Sequence, residues 1–147
     1  MSDAMHGAPV TSEHLLEAFE FLDDWEDRYR FIIDLGHKLP DMPESEKNDA
    51  NFVHGCQSQV WVALHESDGS GSPIALLADS DAFIVKGLAA MVIVLMAGRT
   101  ATEIAAFDIE SVFGTLGLHE HLSPTRSNGL HGMITQVRER AKSLSGG

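Results

Sequence analysis

The sequence predicts an α+β domain: a small antiparallel sheet of about three strands packed by helices. Three observations carry this. Apolar residues recur at helical spacing from Leu15 to Gly36 and again beyond Ala82. Between Val60 and Ala78 the apolar period drops to two, as in a half-buried strand. The two alternating stretches are separated by Ser67-Asp68-Gly69-Ser70-Gly71-Ser72-Pro73, a turn by composition, so they pair as a hairpin. A chain of 147 residues suits one domain, read here as 10–143. Residues 1–9 and 144–147 have the composition of flexible tails.

The elements follow in order. Leu15, Leu16, Phe19 and Leu22 share one helical face, with Thr11 or Ser12 as the cap and Glu13 in the first turn. A second helix starts from Asp23 or Asp24 and carries the stripe Trp25, Tyr29, Ile32, Ile33 and Gly36. His37 and Lys38 suit its negative end and Pro40 stops it. Residues 41–49, with Met42-Pro43 and a run of acids, read as a solvated connection. Residues 51–54 are expected to form a short third strand before a tight bend at Gly55.

After the hairpin, Asp79-Ser80-Asp81 is expected to cap an apolar helix over 82–97, with Gly98 just past its end. That helix is apolar nearly all round, which marks it as the central one. Thr100-Ala101-Thr102-Glu103 is a capping box opening a shorter helix. A further short helix is expected over 108–116. Ser123-Pro124 then places a cap and a first-turn proline before a last helix bearing Leu130, Met133, Ile134 and Val137.

Composition narrows the function classes. With 22 acidic against 10 basic residues the formal charge is −12. Such a field repels phosphate backbones and anionic membranes, so neither nucleic acid nor a membrane is an expected partner. The single cysteine, Cys56, excludes an internal disulfide. Residues 1–9 lack a basic region followed by an apolar core, and the greasiest run, Gly87 to Gly98, is shorter than the about 20 residues a span needs. A cytoplasmic protein is the expectation.

Few residues offer chemistry. Cys56 lies between Gly55 and the polar Gln57-Ser58-Gln59, at a bend entering a strand, where a thiol can be offered to a partner. The alternative is a buried, inert cysteine walled by Phe52, Val53, Val60 and Trp61. His54, two residues away, would share a face with Cys56 in extended backbone and is a candidate base. Nothing else in the sequence orients it, and a polar strand-end histidine is the plainer reading. His119-Glu120-His121 has chelating spacing, but one cysteine and no His-Glu-x-x-His leave a zinc site short of ligands. Arg126, near the start of the last helix, is equally a surface charge or a partner contact.

Three segments together resemble a known family. Val53-His54-Gly55-Cys56-Gln57-Ser58-Gln59-Val60-Trp61 is similar to the active-cysteine segment of the SufE family, which includes CsdE-like paralogues. Asp79-Ser80-Asp81-Ala82 with Ile84-Val85-Lys86-Gly87-Leu88 is the second match. His121-Leu122-Ser123-Pro124-Thr125-Arg126-Ser127-Asn128-Gly129-Leu130 is the third, and Leu35-Gly36 with Leu39-Pro40 adds a weaker fourth. The resemblance runs from about Leu15 to Ala141.

The resemblance implies the fold of the U-type iron–sulfur scaffolds. It implies that Cys56 accepts persulfide sulfur from a cysteine desulfurase of the SufS or CsdA type and activates that enzyme. The sulfur then passes to an iron–sulfur scaffold complex. On this reading the chain is a sulfur-transfer partner rather than a stand-alone enzyme. It holds no cofactor or metal of its own, since the pyridoxal phosphate sits on the desulfurase. Gly55, Gln57, Ser58, Asp81 and Arg126 become candidates for partner docking or loop support. His54 departs from some relatives and is withdrawn as a base. The alternatives are a metal-binding U-type scaffold, which would need several thiolates, and a carrier for another sulfur pathway. The resemblance suggests that Arg126 lies near the Cys56 loop. The apolar neighbours of Cys56 further suggest a resting sulfur turned inward, its thiol slow to react until the partner docks.

Overall fold

The computed structural model describes residues 10–54, 58–69 and 71–146, apart from the side chains of 119 and 146. Gly55, Cys56 and Gln57 lie outside the described residues, and so do the expected bend at Gly55, the inward-turned sulfur and the tail 1–9. Among the described residues there are seven helices and one two-stranded antiparallel sheet, an α+β architecture.

The first two helices start where the sequence predicts. Thr11 caps α1 (Ser12–Phe21) by accepting from the His14 amide at 3.1 Å. Asp24 caps α2 (Trp25–His37) through the Glu26 amide at 3.3 Å. The following connection is not merely solvated. It contains a 3₁₀ turn over Glu44–Glu46, and Met42 is buried in the core.

Strands β1 (Val60–Glu66) and β2 (Ile74–Ser80) pair from Val60 opposite Ser80 to Glu66 opposite Ile74. Val60, Val62, Leu64, Ile74, Leu76 and Ala78 are all buried, as alternation requires of a core-facing surface. The third strand expected over 51–54 shrinks to a single bridge, Phe52 with Trp61. Its two backbone bonds are Val53 N–H to Val60 O and Val62 N–H to Asn51 O. On the upstream side the Asn51 amide already turns back to Asn48, which ends the pairing.

The central helix α3 (Phe83–Met96) is buried at every position from Gly87 to Met96. It packs against α2 backbone to backbone. A β-carbon on Gly36 would meet the Gly87 nitrogen at 2.8 Å, and one on Gly87 would meet the Ile32 carbonyl oxygen at 2.2 Å. Two facing glycines therefore set the approach. Gly98 follows α3 with φ +81°, the left-handed turn expected past its end.

The predicted cap of α3 is corrected. The N-cap position falls on Ala82, which has no side-chain cap bond, because β2 continues through Ser80, Asp79 pairs with Lys47 and Lys86, and Asp81 accepts from the Gln59 amide. Ser80 Oγ does accept from the Ala82 amide at 3.2 Å. The capping box opens α4 (Ala101–Ala106) as predicted, and Asp108 caps α5 (Ile109–Thr115). A short α6 (Leu118–His121) was not anticipated. Ser123 supports the start of α7 (Pro124–Gly146), accepting from the Arg126 amide at 3.3 Å. Leu144, in the last turn of that helix, packs on the core.

Candidate functional site

The segment 54–59 joins Val53 to Val60, and both of its roots are tied down. Val53 N–H donates to Val60 O at 2.8 Å, closing the base of the loop. On the incoming side Asn51 is buried and fully engaged. Its amide nitrogen donates to Glu46 O at 2.8 Å, and its side-chain oxygen accepts from Arg140 at 3.1 Å. Gln136 donates to the Asn51 carbonyl at 3.0 Å, so two residues of α7 hold this root. The outgoing root is held by Asp81. Its Oδ1 accepts from the Gln59 amide at 2.9 Å, and its own amide donates to Gln59 O at 3.3 Å.

Asp79 fastens the layer beneath. Its carboxylate meets Lys47 at 3.1 Å and Lys86 at 3.4 Å, and accepts from the Ser80 amide at 2.8 Å. Burial works against its charge, yet the Lys47 and Ser80 hydrogen bonds, with both lysine charges, hold its carboxyl below the ordinary value. The Asp79 hydrogen bond correspondingly raises Lys47, which also lies over the Trp61 ring at 5.4 Å. One buried acid thus links the 44–47 turn, the end of β2 and the first turns of α3.

A cavity of about 420 Å³ opens where these elements converge. Ser58 and Val60 line it from the loop and β1, Ala82 and Val85 from the start of α3, and Thr125 and Arg126 from the start of α7. Its walls are apolar at the α3 side and polar at the α7 side. The Arg126 side chain makes no ion pair among the described residues. The positive end of α7 points the same way, so an anion at this end of the cavity would be favoured.

Of the candidates read from sequence, the structure brings Ser58, Asp81 and Arg126 to one place: two line or tie the loop root, and the third faces them across the cavity. Gly55, Cys56 and Gln57 are outside the described residues. His54 is exposed and sits edge-on to Phe52 at 4.9 Å, beside a second cavity shared with His131. His121 is held by stacking on Trp25 at 4.0 Å, with Nδ1 3.0 Å from Gly117 O. Its partners are a ring and a carbonyl. Among the described residues no group of three His, Cys, Asp or Glu is placed to share a metal ion.

Sequence reasoning missed Asn51, Lys47 and Arg140. Their only signal was a polar residue at the start of a predicted strand and two charges of no particular spacing.

A model of the SufE family, described as an Fe-S metabolism associated domain, matches residues 13–141. An uncharacterized SufE-like protein of Rhizobium etli is 47% identical over 131 residues, covering 88% of each chain. Another, from Rhizobium meliloti, is 44% identical over 131 residues, covering 88% of this chain and 94% of the relative. The chain belongs to the SufE family. The SufE fold is matched as well by the solution structure of a hypothetical protein from Thermus thermophilus, with a TM-score of 0.74. That match covers 92% of this chain and 96% of the other at 20% identity, and speaks for the fold alone. Membership places this SufE protein in iron–sulfur metabolism. No helix among its described residues is long and apolar enough to cross a membrane.

Proposed function

We propose that this SufE-family protein is a sulfur carrier whose Cys56 takes sulfane sulfur from the persulfide of a cysteine desulfurase. One observation carries the reading: the chain's single thiol stands in the family's cysteine segment, two residues before Ser58, which lines the cavity faced by Arg126. The Cys56 thiolate attacks the outer sulfur of the desulfurase persulfide. A new S–S bond forms at Cys56 as the old one breaks, and the electron pair leaves on the desulfurase cysteine as thiolate. The proton stays on the transferred terminal sulfur or is lost to water, and no oxidant is consumed. Removing the sulfur frees the desulfurase for another turn, which accounts for activation. The pyridoxal phosphate that liberates the sulfur belongs to the desulfurase.

The surroundings suit this role. Arg126 and the positive end of α7 favour the thiolate and the persulfide anion. The sulfur then moves on to a scaffold that supplies several thiolates for iron, a task one cysteine does not meet. The test is intact-mass spectrometry after incubation with a desulfurase and free cysteine. The wild type gains one sulfur, about 32 Da, reversible by reductant, and Cys56→Ser gains none while still folding. Full stimulation of the desulfurase by Cys56→Ser would reduce the protein to a docking factor.

A further inference from the structure

Phe83 is the first residue of α3, and 68% of it is exposed. Every other residue of that helix except Lys86 is buried. Covering an exposed phenylalanine is favourable, and most of that gain is left unused by the isolated chain. The ring is placed rather than loose: it lies against His37 at the end of α2, 5.3 Å between centroids and tilted at 56°.

Its position matters more than its exposure. Its neighbours in sequence, Ala82 and Ile84, line the cavity that Ser58 also lines, and Asp81 ties Gln59. Chain geometry holds Cys56 within about 7 Å of Ser58. A cavity of 420 Å³ corresponds to a sphere about 9 Å across, bridging Ser58 to Ala82 and Ile84. A donor must bring its own sulfur into bonding contact with Cys56, so its surface covers this face. A stable interface of about 800 Å² per partner has a radius of about 16 Å, enough to reach the Phe83 ring. The other exposed large apolar side chains among the described residues, Leu16 and Phe21, are on α1 and do not line the cavity.

We infer that Phe83 is the apolar anchor through which the sulfur-donating desulfurase docks, its ring entering an apolar pocket on that enzyme. This deepens the carrier reading and rests on it. Aromatic rings buried in a pocket of the partner are the usual site of concentrated binding energy, and His37 reduces the ordering cost by holding the ring beforehand.

The test compares calorimetric Kd values of the full chain for the desulfurase that loads Cys56. Phe83→Ala raises Kd by about tenfold, equal to about 1.4 kcal/mol. Phe83→Leu, which keeps an apolar side chain and guards against any loss of fold, raises it less. Phe21→Ala, which removes an 83% exposed ring on α1, leaves Kd unchanged. At saturating desulfurase, Phe83→Ala still gains sulfur on Cys56. An unchanged Kd for Phe83→Ala overturns the anchor while the carrier reading stands. Wild-type protein that binds the desulfurase through Phe83 but gains no sulfur overturns the carrier reading instead. A wild-type dimer in sedimentation that Phe83→Ala dissolves assigns the ring to a second copy of this chain and also overturns the proposal.

Discussion

Asp81 and Gln59 are 22 positions apart, yet each backbone amide is satisfied by the other residue: Gln59 N–H by the Asp81 carboxylate at 2.9 Å, Asp81 N–H by the Gln59 carbonyl at 3.3 Å. The pair clamps the outgoing root of the cysteine loop to the start of α3. Asp81→Ala removes a charge-assisted hydrogen bond and lowers stability by about 1–2 kcal/mol. The local effect is larger than the global one. Hydrogen exchange of the Gln59 amide speeds up far more than that of β1 residues such as Val62. Equal acceleration at both would mean that Asp81 serves the fold generally and not this root.

Gly87 tests the close approach of α2 and α3. A methyl group there lies 2.2 Å from the Ile32 carbonyl oxygen and 2.6 Å from its Cγ2, so one helix must move. Gly87→Ala costs about 3 kcal/mol, the upper range for overpacking, and lowers the melting temperature by roughly 10 °C. Gly98→Ala meets nothing within 4 Å and carries only its positive φ, a cost of about 1–2 kcal/mol. Thermal denaturation ranks the two variants.

The Asp79 network gives stability a dependence on pH at both ends. The folded carboxyl lies below its ordinary 3.8, so its contribution is complete above that value and is lost as pH falls through the lowered one. Lys47 lies above its ordinary 10.5, so its contribution is present below that value and is lost as pH rises through the raised one. Asp79→Asn flattens the acid limb of the stability curve relative to wild type. Urea titrations between about pH 3 and pH 7 are the check, and parallel curves for both proteins would show that Asp79 does not set the acid limb.

Arg126 is exposed and unpaired among the described residues, so Arg126→Ala shifts stability by no more than about 0.5 kcal/mol. Its effect falls on the sulfur site. Losing the cation that favours the thiolate slows sulfur uptake by roughly tenfold. Arg126→Lys recovers part of that rate. Equal sulfur uptake by wild type and Arg126→Ala would leave Arg126 as surface charge.

Much of this was legible without coordinates because it is local. The helix starts at Thr11, Asp24, Thr100 and Asp108 depend on a side chain and an amide two or three residues away. The hairpin depends on a period of two and an intervening turn. Cys56, as the only thiol, and the three family motifs, one of them around it, were likewise readable as a string. What sequence misjudged is non-local. Asp79 and Asp81 have the composition of a helix cap, but tertiary partners, Lys47 and Lys86 for one and Gln59 for the other, outcompete the cap amides. Residues 51–54 are expected from sequence as a third strand, but Asn51 is drawn into bonds with Glu46 and α7, leaving a single bridge. The convergence of Ser58, Ala82 and Arg126 on one cavity is non-local too, and only the resemblance suggested Arg126 near the Cys56 loop. Their spacing along the chain carries no distance information. Only the packing of α3 and α7 beside the hairpin brings them together, because contacts between distant segments are decided by which buried faces fit.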